Sequence, residues 1–260
     1  MKKTVLFLLA AFVLLSAVSC SRVGVALYNK KDSLKKKTVW VKGDKEIVFI
    51  PMIHVAKAGY YEQVKDFLFQ KRNEGYIVYY EGVANGGVTP QQRDTLYLKA
   101  RKIMGFYIFQ DYTEKENKSI PKYLKKYIGQ NYKNTGIDTL KDVRADMTYK
   151  DMIAKIETER GKIELEPCDF ETPLNAPYKC TQRKDLGFTF IRTLRDDYLK
   201  QLLLNSSDKK IVVLYGQAHT WAVYPALERE GFCLVQGKWL GREKKECNNV
   251  TTISVLPSIK

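Results

Sequence analysis

Two histidines and one glutamate have the spacing of a site built where β-strands end. His54 and His219 are the two histidines of the 260-residue sequence, and each closely follows an apolar, β-branched run. Glu81 follows a third such run directly. Parallel strands end at a common edge of a sheet, so we expect the three side chains to lie near one another. Two imidazoles and a carboxylate form the ligand set of several catalytic metal sites, which leave a coordination position open for water.

A metal-free interpretation of the same residues is also open. Glu81 could orient or charge-balance a histidine that acts as a general base on water. A single histidine at a strand end is more often structural or solvated than reactive. Chemistry is favoured here because both histidines occupy matching strand ends and a carboxylate occupies a third.

The hydrophobic pattern predicts the elements that would position these residues. Strand-like and helix-like segments alternate, which indicates an α/β fold with a central, mostly parallel or mixed β-sheet flanked by helices. The first helix joins two strands in a βαβ unit, so those strands are expected to be parallel. The predicted strands are 38–41, 47–50, 76–80, 211–215 and 232–235, and the predicted helices are 60–72, 90–104, 148–160, 188–204 and 221–229.

We expect one folded domain, at residues 38–260, preceded by a polar, basic tether at 20–37. A helical insertion is predicted at about 88–160, with an aromatic, lysine-rich centre that covers the sheet or the site. Two prolines and two cysteines within 164–186 predict a stapled loop. The composition, 45% hydrophobic and 28% charged, is that of a globular protein and excludes disorder of the whole chain.

The N-terminus has the pattern of an export signal. Lys2 and Lys3 precede an apolar stretch, 4–18, which is too short for a comfortable membrane span. Ala17-Val18-Ser19-Cys20 resembles a bacterial lipoprotein cleavage box. The resemblance implies that residues 1–19 are a signal peptide and that Cys20 is acylated, so that lipid anchors the protein in the bacterial cell envelope, at the outer membrane or the periplasmic face.

The excess of basic over acidic residues indicates which partners to expect. A formal charge of +15 favours anionic partners such as lipid headgroups. The basic residues are scattered and no nucleic-acid-binding motif accompanies them, so nucleic acid is not an expected partner.

Four cysteines remain in addition to Cys20. An even number in an exported chain predicts two disulfides, with three possible connectivities. Proximity in sequence favours Cys168–Cys180 and Cys233–Cys247. A four-cysteine zinc site is the rival, but the sequence has no C-x-x-C spacing to support it.

Four short features occur together in a recognisable order. Gly216-Gln217-Ala218-His219 follows a strand, where we expect the glycine to permit a sharp turn, and Pro51-Met52-Ile53-His54 repeats the pattern with proline in place of glycine. Glu81 ends an early strand, and Arg195 lies on a helix before the second histidine motif. These features resemble the TraB/PrgY/GumN (Tiki-like) family, which is marked by two GxxH motifs, such a glutamate and such an arginine. The similarity spans roughly 39–235.

The resemblance implies a fold and a chemistry. The fold would be like that of erythromycin esterases and haem-binding ChaN relatives, and the activity that of a metal-dependent hydrolase. Under this interpretation His54, Glu81 and His219 hold a divalent ion (manganese, cobalt or zinc). Arg195 then orients a carboxylate or stabilises an oxyanion. Pro51 removes a backbone N–H, so it either tolerates the turn or marks a branch without catalysis.

The predicted function is therefore a lipid-anchored extracytoplasmic hydrolase, metal-dependent, that cleaves an amide or ester bond in a peptide or small-molecule substrate. A haem- or metal-binding lipoprotein is the alternative, since the chain has 17 tyrosines and tyrosine or histidine can ligate haem iron. A non-catalytic protein with the same fold is the third possibility.

Individual side chains also have plainer interpretations. Arg195 could be a surface charge that pairs with Asp196 or Glu228. Asp146 and Asp151 are weaker site candidates, and Asp151 is explained by capping of the helix that starts near Thr148.

Overall fold

A computed structural model describes residues 34–107, 127–174 and 176–239 of the chain. The predicted signal peptide, Cys20, most of the tether, the centre of the insertion and Cys247 lie outside the described residues. The described part has a six-stranded, mostly parallel sheet flanked by helices, and a small second sheet of two strands. The predicted α/β fold is therefore confirmed.

The strands and helices alternate along much of the chain. The strands are β1 (Thr38–Lys42), β2 (Lys45–Met52), β3 (Val55–Ala56), β4 (Ile77–Tyr80), β5 (Ile128–Gly129), β6 (Val143–Arg144), β7 (Lys210–Gly216) and β8 (Cys233–Gln236). The helices are α1 (Ala58–Asn73), α2 (Pro90–Met104), α3 (Tyr132–Thr135), α4 (Tyr149–Arg160), α5 (Pro167–Glu171), α6 (Leu194–Asn205) and α7 (Thr220–Arg229). Short 3-10 turns cover Leu34–Lys36, Lys184–Leu186 and Gln217–His219, and a π-helical turn, Thr189–Thr193, leads directly into α6.

The order of strands in the main sheet is β6-β4-β7-β2-β1-β8. β6, β4, β7 and β2 are parallel, whereas β1 pairs antiparallel with β2 and with β8. β2 and β4 are parallel as predicted, but β7 lies between them. β7 suits this central place because its residues from Ile211 to Gly216 are all buried. The loops after β2 and β4 therefore flank the loop that carries His219.

Two cores cover the two faces of the sheet. On one face α1 packs its buried side chains Tyr61, Val64 and Leu68 against alternate strand residues such as Ile50 and Leu214. On the other face, α6 and α7 pack against the intervening residues of the same strands, such as Phe49 and Val213. The helices contribute the buried side chains of Leu199, Leu203, Val223 and Leu227. This alternation is the period of two that a strand buried on both faces requires.

The predicted insertion forms a third core beside the sheet. Helices α2 and α4 and the π-helical turn share the buried side chains of Ile103, Met152, Ile156 and Phe190. Thr89 caps α2 through a capping box, and Thr148 caps α4 by accepting from the Asp151 N–H. The segment is not purely helical, since it also supplies β5 and the edge strand β6.

The first of the two predicted disulfides, Cys168–Cys180, is confirmed. Cys168 and Cys180 are bonded, with their Cα atoms 5.9 Å apart. The neighbouring α5 is held by two buried cations of α2: Arg101 donates to the backbone carbonyl of Asp169, and Lys102 pairs with its carboxylate at 2.9 Å. Cys233 is disulfide-bonded as well, and its predicted partner Cys247 lies outside the described residues.

Removing the Cys168–Cys180 disulfide should lower the free energy of unfolding without changing the fold. Because the bond closes a loop over a sequence separation of 12, we expect the Cys168→Ser/Cys180→Ser variant to lose about 2–3 kcal/mol of unfolding free energy. Urea denaturation followed by circular dichroism measures the loss. An unchanged midpoint would show that the contacts of Arg101 and Lys102 hold the segment by themselves.

None of the helices in the described ranges is both long enough and apolar enough to cross a membrane.

Candidate active site

Glu81 is the central carboxylate of a buried cluster at the edge where the parallel strands end. It comes directly after β4, and both of its oxygens are engaged. Oε2 accepts the backbone N–H of Gly216 at 2.6 Å, and Oε1 accepts Nη2 of Arg195 at 2.5 Å. Burial alone would raise the pKa of Glu81, but the charges of Arg195, His54 and His219 outweigh burial and hold the pKa well below its usual range.

Arg195 links Glu81 to a second carboxylate. Its Nε and Nη2 donate to the two oxygens of Asp146 at 2.9 and 2.7 Å, so the guanidinium grips Asp146 with two parallel bonds. Asp146 also accepts the backbone N–H groups of Gly82 and Met147. Arg195 is thus a buried ion-pair residue and not a surface charge. Burial opposes its charge, but the two carboxylates raise its pKa well above the ordinary value.

The local helix geometry accounts for the placement of Arg195. The π-helical turn Thr189–Thr193 ends just before α6 begins, and the carbonyl of Ile191 accepts from Arg195 Nη1 at 3.3 Å. Single π-turns inside helices often occur at functional sites because they change the direction in which the next residues face. Arg195 lies four residues before the buried Leu199, so both share the inner face of α6.

His219 is buried in the same cluster, with an exposed fraction of 4%. Its Nδ1 lies 2.5 Å from Oδ1 of Asp196, and its Nε2 lies 3.7 Å from Oε1 of Glu81. The imidazole packs edge-on against the ring of Tyr215, with 4.7 Å between centroids. Burial would lower the pKa of His219, but the hydrogen bonds and charges of Asp196 and Glu81 raise it above the ordinary value.

His54 is less closely associated with the cluster. It is exposed in the short turn between β2 and β3, and its carbonyl accepts the Gln130 N–H at 2.8 Å. Within the described ranges it forms no hydrogen bond or ion pair with Glu81 or His219. Its charge nevertheless contributes to the lowered pKa of Glu81, so it lies within electrostatic reach.

The donor atoms as arranged do not fit a three-ligand metal site. Within the part of the chain that the structure describes, no group of three or more His, Cys, Asp or Glu side chains is placed to hold a metal ion. Arg195 and the Gly216 N–H occupy the oxygens of Glu81, and Asp196 occupies one nitrogen of His219. Metal binding by His54, Glu81 and His219 therefore stays a prediction that would need these contacts to rearrange.

Tyr215 adds a neutral donor to the cluster. Its ring lies between His219 and the guanidinium of Arg195, 5.7 Å from the latter. Its buried hydroxyl makes no hydrogen bond of good geometry among the described residues, but it lies close enough to Asp146 for that carboxylate to act on it. Burial raises the pKa of Tyr215 well above the ordinary value, so the hydroxyl keeps its proton at neutral pH.

The sequence does not assign three members of this cluster to the site. It gives Asp146 as a weak candidate, Asp196 as a possible surface partner of Arg195, and Tyr215 as a strand residue. Helical spacing could have indicated Asp196, which lies three residues before the inward-facing Leu199. Asp146 follows a two-residue strand, which has no detectable pattern, so its position depends on tertiary structure.

Gly216 is needed for space and not for a sharp turn. Its φ of −53° is open to any residue. A Cβ at this position, however, would lie 3.0 Å from Oε2 of Glu81 and 3.4 Å from Cδ2 of His219. The glycine of the GQAH sequence therefore lets the carboxylate approach the backbone closely enough to accept its N–H.

The Gly216→Ala variant should disturb the site selectively. We expect a loss of about 1–3 kcal/mol in stability, because the carboxylate must shift against fixed partners. The pKa of His219, followed by NMR titration, should fall as Glu81 moves away. Ala218→Gly, two residues further on at an exposed position, is the control. If the pKa of His219 in Gly216→Ala equals that in the wild-type protein, the added Cβ does not displace Glu81 and the prediction is wrong.

These observations define a class: an α/β protein with a buried histidine–carboxylate–arginine cluster at the carboxyl edge of a mostly parallel sheet. No family model matches the chain, and neither a curated protein nor a solved structure matches it. The resemblance to the TraB/PrgY/GumN family stays a prediction.

Proposed function

We propose that the protein is a hydrolase of amide or ester bonds in which His219 acts as general base and then general acid. The pairing of His219 with Asp196 carries this proposal. A carboxylate at Nδ1 favours the tautomer whose proton is on that nitrogen, so the lone pair of Nε2 is left to accept a proton. Two side chains held at 2.5 Å and shielded from solvent form an oriented pair.

The reaction follows from this orientation. Nε2 of His219 takes a proton from water as the water oxygen bonds to the substrate carbonyl carbon. The proton then passes from Nε2 to the leaving nitrogen or oxygen as its bond to carbon breaks, which yields an acid and an amine or alcohol. Glu81, at 3.7 Å from Nε2, stabilises the imidazolium formed in between. Arg195 keeps Glu81 ionised and supplies positive charge near the developing oxyanion.

The test is hydrolysis of peptide and ester libraries by the purified, tag-free protein. We expect a subset of substrates to be cleaved, and the His219→Asn variant to cleave them at background rate. A wild-type protein without activity on either library, or a His219→Asn variant as active as wild type, would contradict the proposal.

Metal dependence is the alternative version of the same function. An ion at His54, Glu81 and His219 would lower the pKa of bound water and so supply the nucleophile. Elemental analysis of the purified protein separates the two versions. Stoichiometric manganese, cobalt or zinc that is lost in the His54→Ala/His219→Ala variant would favour the metal version, and full activity after chelator treatment would favour the metal-free one.

Haem binding stays a prediction as the alternative function. Titration of the protein with haem should produce a Soret band that His219→Ala abolishes if this function is correct. A spectrum of free haem alone would count against it.

We further propose that the enzyme is lipid-anchored in the bacterial cell envelope. The cleavage-box sequence at Cys20 and the disulfide of the described domain support this location. Labelled fatty acid should enter the wild-type protein and not a Cys20→Ala variant.

A further inference from the structure

Arg144 is a half-buried cation whose Nη1 has no partner. This nitrogen is shielded from solvent, and among the described residues it has no hydrogen-bond acceptor. The nearest acidic residues along the chain are already engaged, since Asp142 pairs with Arg72 and Asp146 pairs with Arg195. A charged N–H group removed from water without an acceptor is unfavourable, and such a group in a native fold calls for an explanation.

The position of Arg144 relates it to the candidate active site. It ends β6, where its Cα partner on the parallel strand β4 is Tyr80, and Glu81 follows Tyr80 directly. The N–H of Ala145 donates to the carbonyl of Tyr80 at 2.9 Å, which continues the pairing to the strand ends. Arg144 therefore reaches the same edge of the sheet as Glu81, one strand away.

Two tyrosine hydroxyls lie within reach of the charge of Arg144. The rings of Tyr80 and Tyr132 meet at 5.3 Å, and Arg144 acts on both hydroxyls, as do the engaged carboxylates of Asp142 on Tyr80 and Asp146 on Tyr132. The Tyr132 hydroxyl lies beside Gly82, where an added Cβ would be only 2.6 Å from it. This group, which we call the Arg144 cluster (Arg144, Tyr80 and Tyr132), thus adjoins the residue that follows Glu81.

A second unsatisfied side chain, Gln130, lies two residues before Tyr132 in the sequence. Its side-chain oxygen is buried without a hydrogen bond among the described residues, while its backbone N–H donates to the carbonyl of His54. The segment that carries Tyr132 is therefore joined to the turn that carries His54.

We propose that the Arg144 cluster binds an oxyanion, a carboxylate or phosphate, on the substrate that is cleaved at His219. A guanidinium pairs with either group through two parallel bonds, and the tyrosine hydroxyls add donors. Naming the ligand as the substrate rests on the proposed function, whereas anion binding at Arg144 does not. The guanidinium groups of Arg72, Arg101 and Arg195 have acceptors within the protein, although Nε of Arg101 also lacks one. For Arg144, which has none among the described residues, the ligand supplies the acceptors.

Isothermal titration of the mature chain with matched probes tests the inference. The probes are an N-acetylated dipeptide with a free carboxylate, its C-terminal amide, and inorganic phosphate. We expect the amide to bind about tenfold or more weakly than the acid, and Arg144→Gln to remove this difference. Binding of phosphate and not of the acid would identify phosphate as the oxyanion. Arg144→Lys should bind with intermediate affinity, because it keeps the charge and loses the second bond.

A stability measurement distinguishes this role from a structural one. Because the Arg144 side chain gives up no hydrogen bond or ion pair among the described residues, Arg144→Gln should unfold at the same temperature as wild type or higher. The matched control, Arg229→Gln, removes the same charge from an exposed position at the far end of α7 and should leave both binding and stability unchanged. Equal affinity of wild type and Arg144→Gln for all three probes would overturn the inference, as would a clear loss of stability in Arg144→Gln.

The outcome also separates this inference from the proposed function. Titration reads binding without turnover, so an anion site that depends on Arg144 in a protein without hydrolytic activity would support the inference and contradict the hydrolase. The converse result is hydrolysis that depends on His219 and yet is equally fast for acidic and neutral substrates, both in wild type and in Arg144→Gln. That result would support the hydrolase and contradict the inference.

Discussion

Replacing Asp196 with asparagine is expected to lower the hydrolytic rate by about two to four orders of magnitude while the fold stays intact. Asparagine keeps the size of the side chain but removes the charge that holds the His219 imidazole by Nδ1. It can also present its NH₂ to that nitrogen, which would favour the wrong tautomer. Asp196 acts through His219, so it is a positioning residue.

The pH profile is the readout that a purely structural role would not change. His219 must be deprotonated to act as a base, so activity should rise with pH through the pKa of His219. That pKa is raised above 6.5 by Asp196 and Glu81 in spite of burial, so the rise should be centred above pH 6.5. In Asp196→Asn one of these raising causes is lost, and the centre should move to lower pH as the maximal rate falls.

The neighbouring Asp197→Asn is the matched control. Asp197 is on the same helix turn, is about half exposed, and pairs with Lys200 at the surface. Its rate and pH profile should equal those of wild type. A normal rate in Asp196→Asn, or an unshifted profile, would contradict the assignment of Asp196.

Replacing Arg195 with methionine should produce the largest loss of stability of any substitution considered, about 3–5 kcal/mol at neutral pH. Methionine fills much of the volume, but the change leaves Glu81 and Asp146 as two buried carboxylates without their shared cation. Urea denaturation measures the loss. Arg192→Met is the control, since Arg192 makes a single ion pair of 3.4 Å, with Asp196, and otherwise lies over the ring of Phe188. This variant should lose much less stability.

The pH dependence of this loss has a definite sign. In wild type the pKa of Glu81 is lowered, so its ion pair contributes fully above the ordinary glutamate pKa and is lost as pH falls through the lowered pKa in the folded state. Without Arg195 burial dominates, and the pKa of Glu81 should rise above its unfolded value. The deficit of Arg195→Met should therefore shrink as pH falls toward 4. A deficit independent of pH would show that lost packing, not unpaired charge, is the cause.

The strand-end placement of Glu81 and His219 is predictable because each closely follows a continuous apolar run. Two-sided burial makes β4 and β7 continuous in hydrophobicity, and such runs are visible in the sequence. The hairpin β1–β2 and the capped helices α2 and α4 depend on neighbouring residues, and they were predictable for the same reason.

The partners of those residues were not predictable in this way. The insertion of β7 between β2 and β4 joins segments more than 130 residues apart, and no local pattern specifies it. Asp146 follows a strand of two residues, and whether Arg195 faces solvent or the sheet depends on which surface α6 covers. Local spacing specifies which side chains reach a strand end or a helix face. Pairing and packing across the sheet determine that Arg195 bridges two carboxylates, that Asp196 holds His219, and that Nη1 of Arg144 is shielded without an acceptor among the described residues. Only the folded chain sets which charged groups are removed from water together.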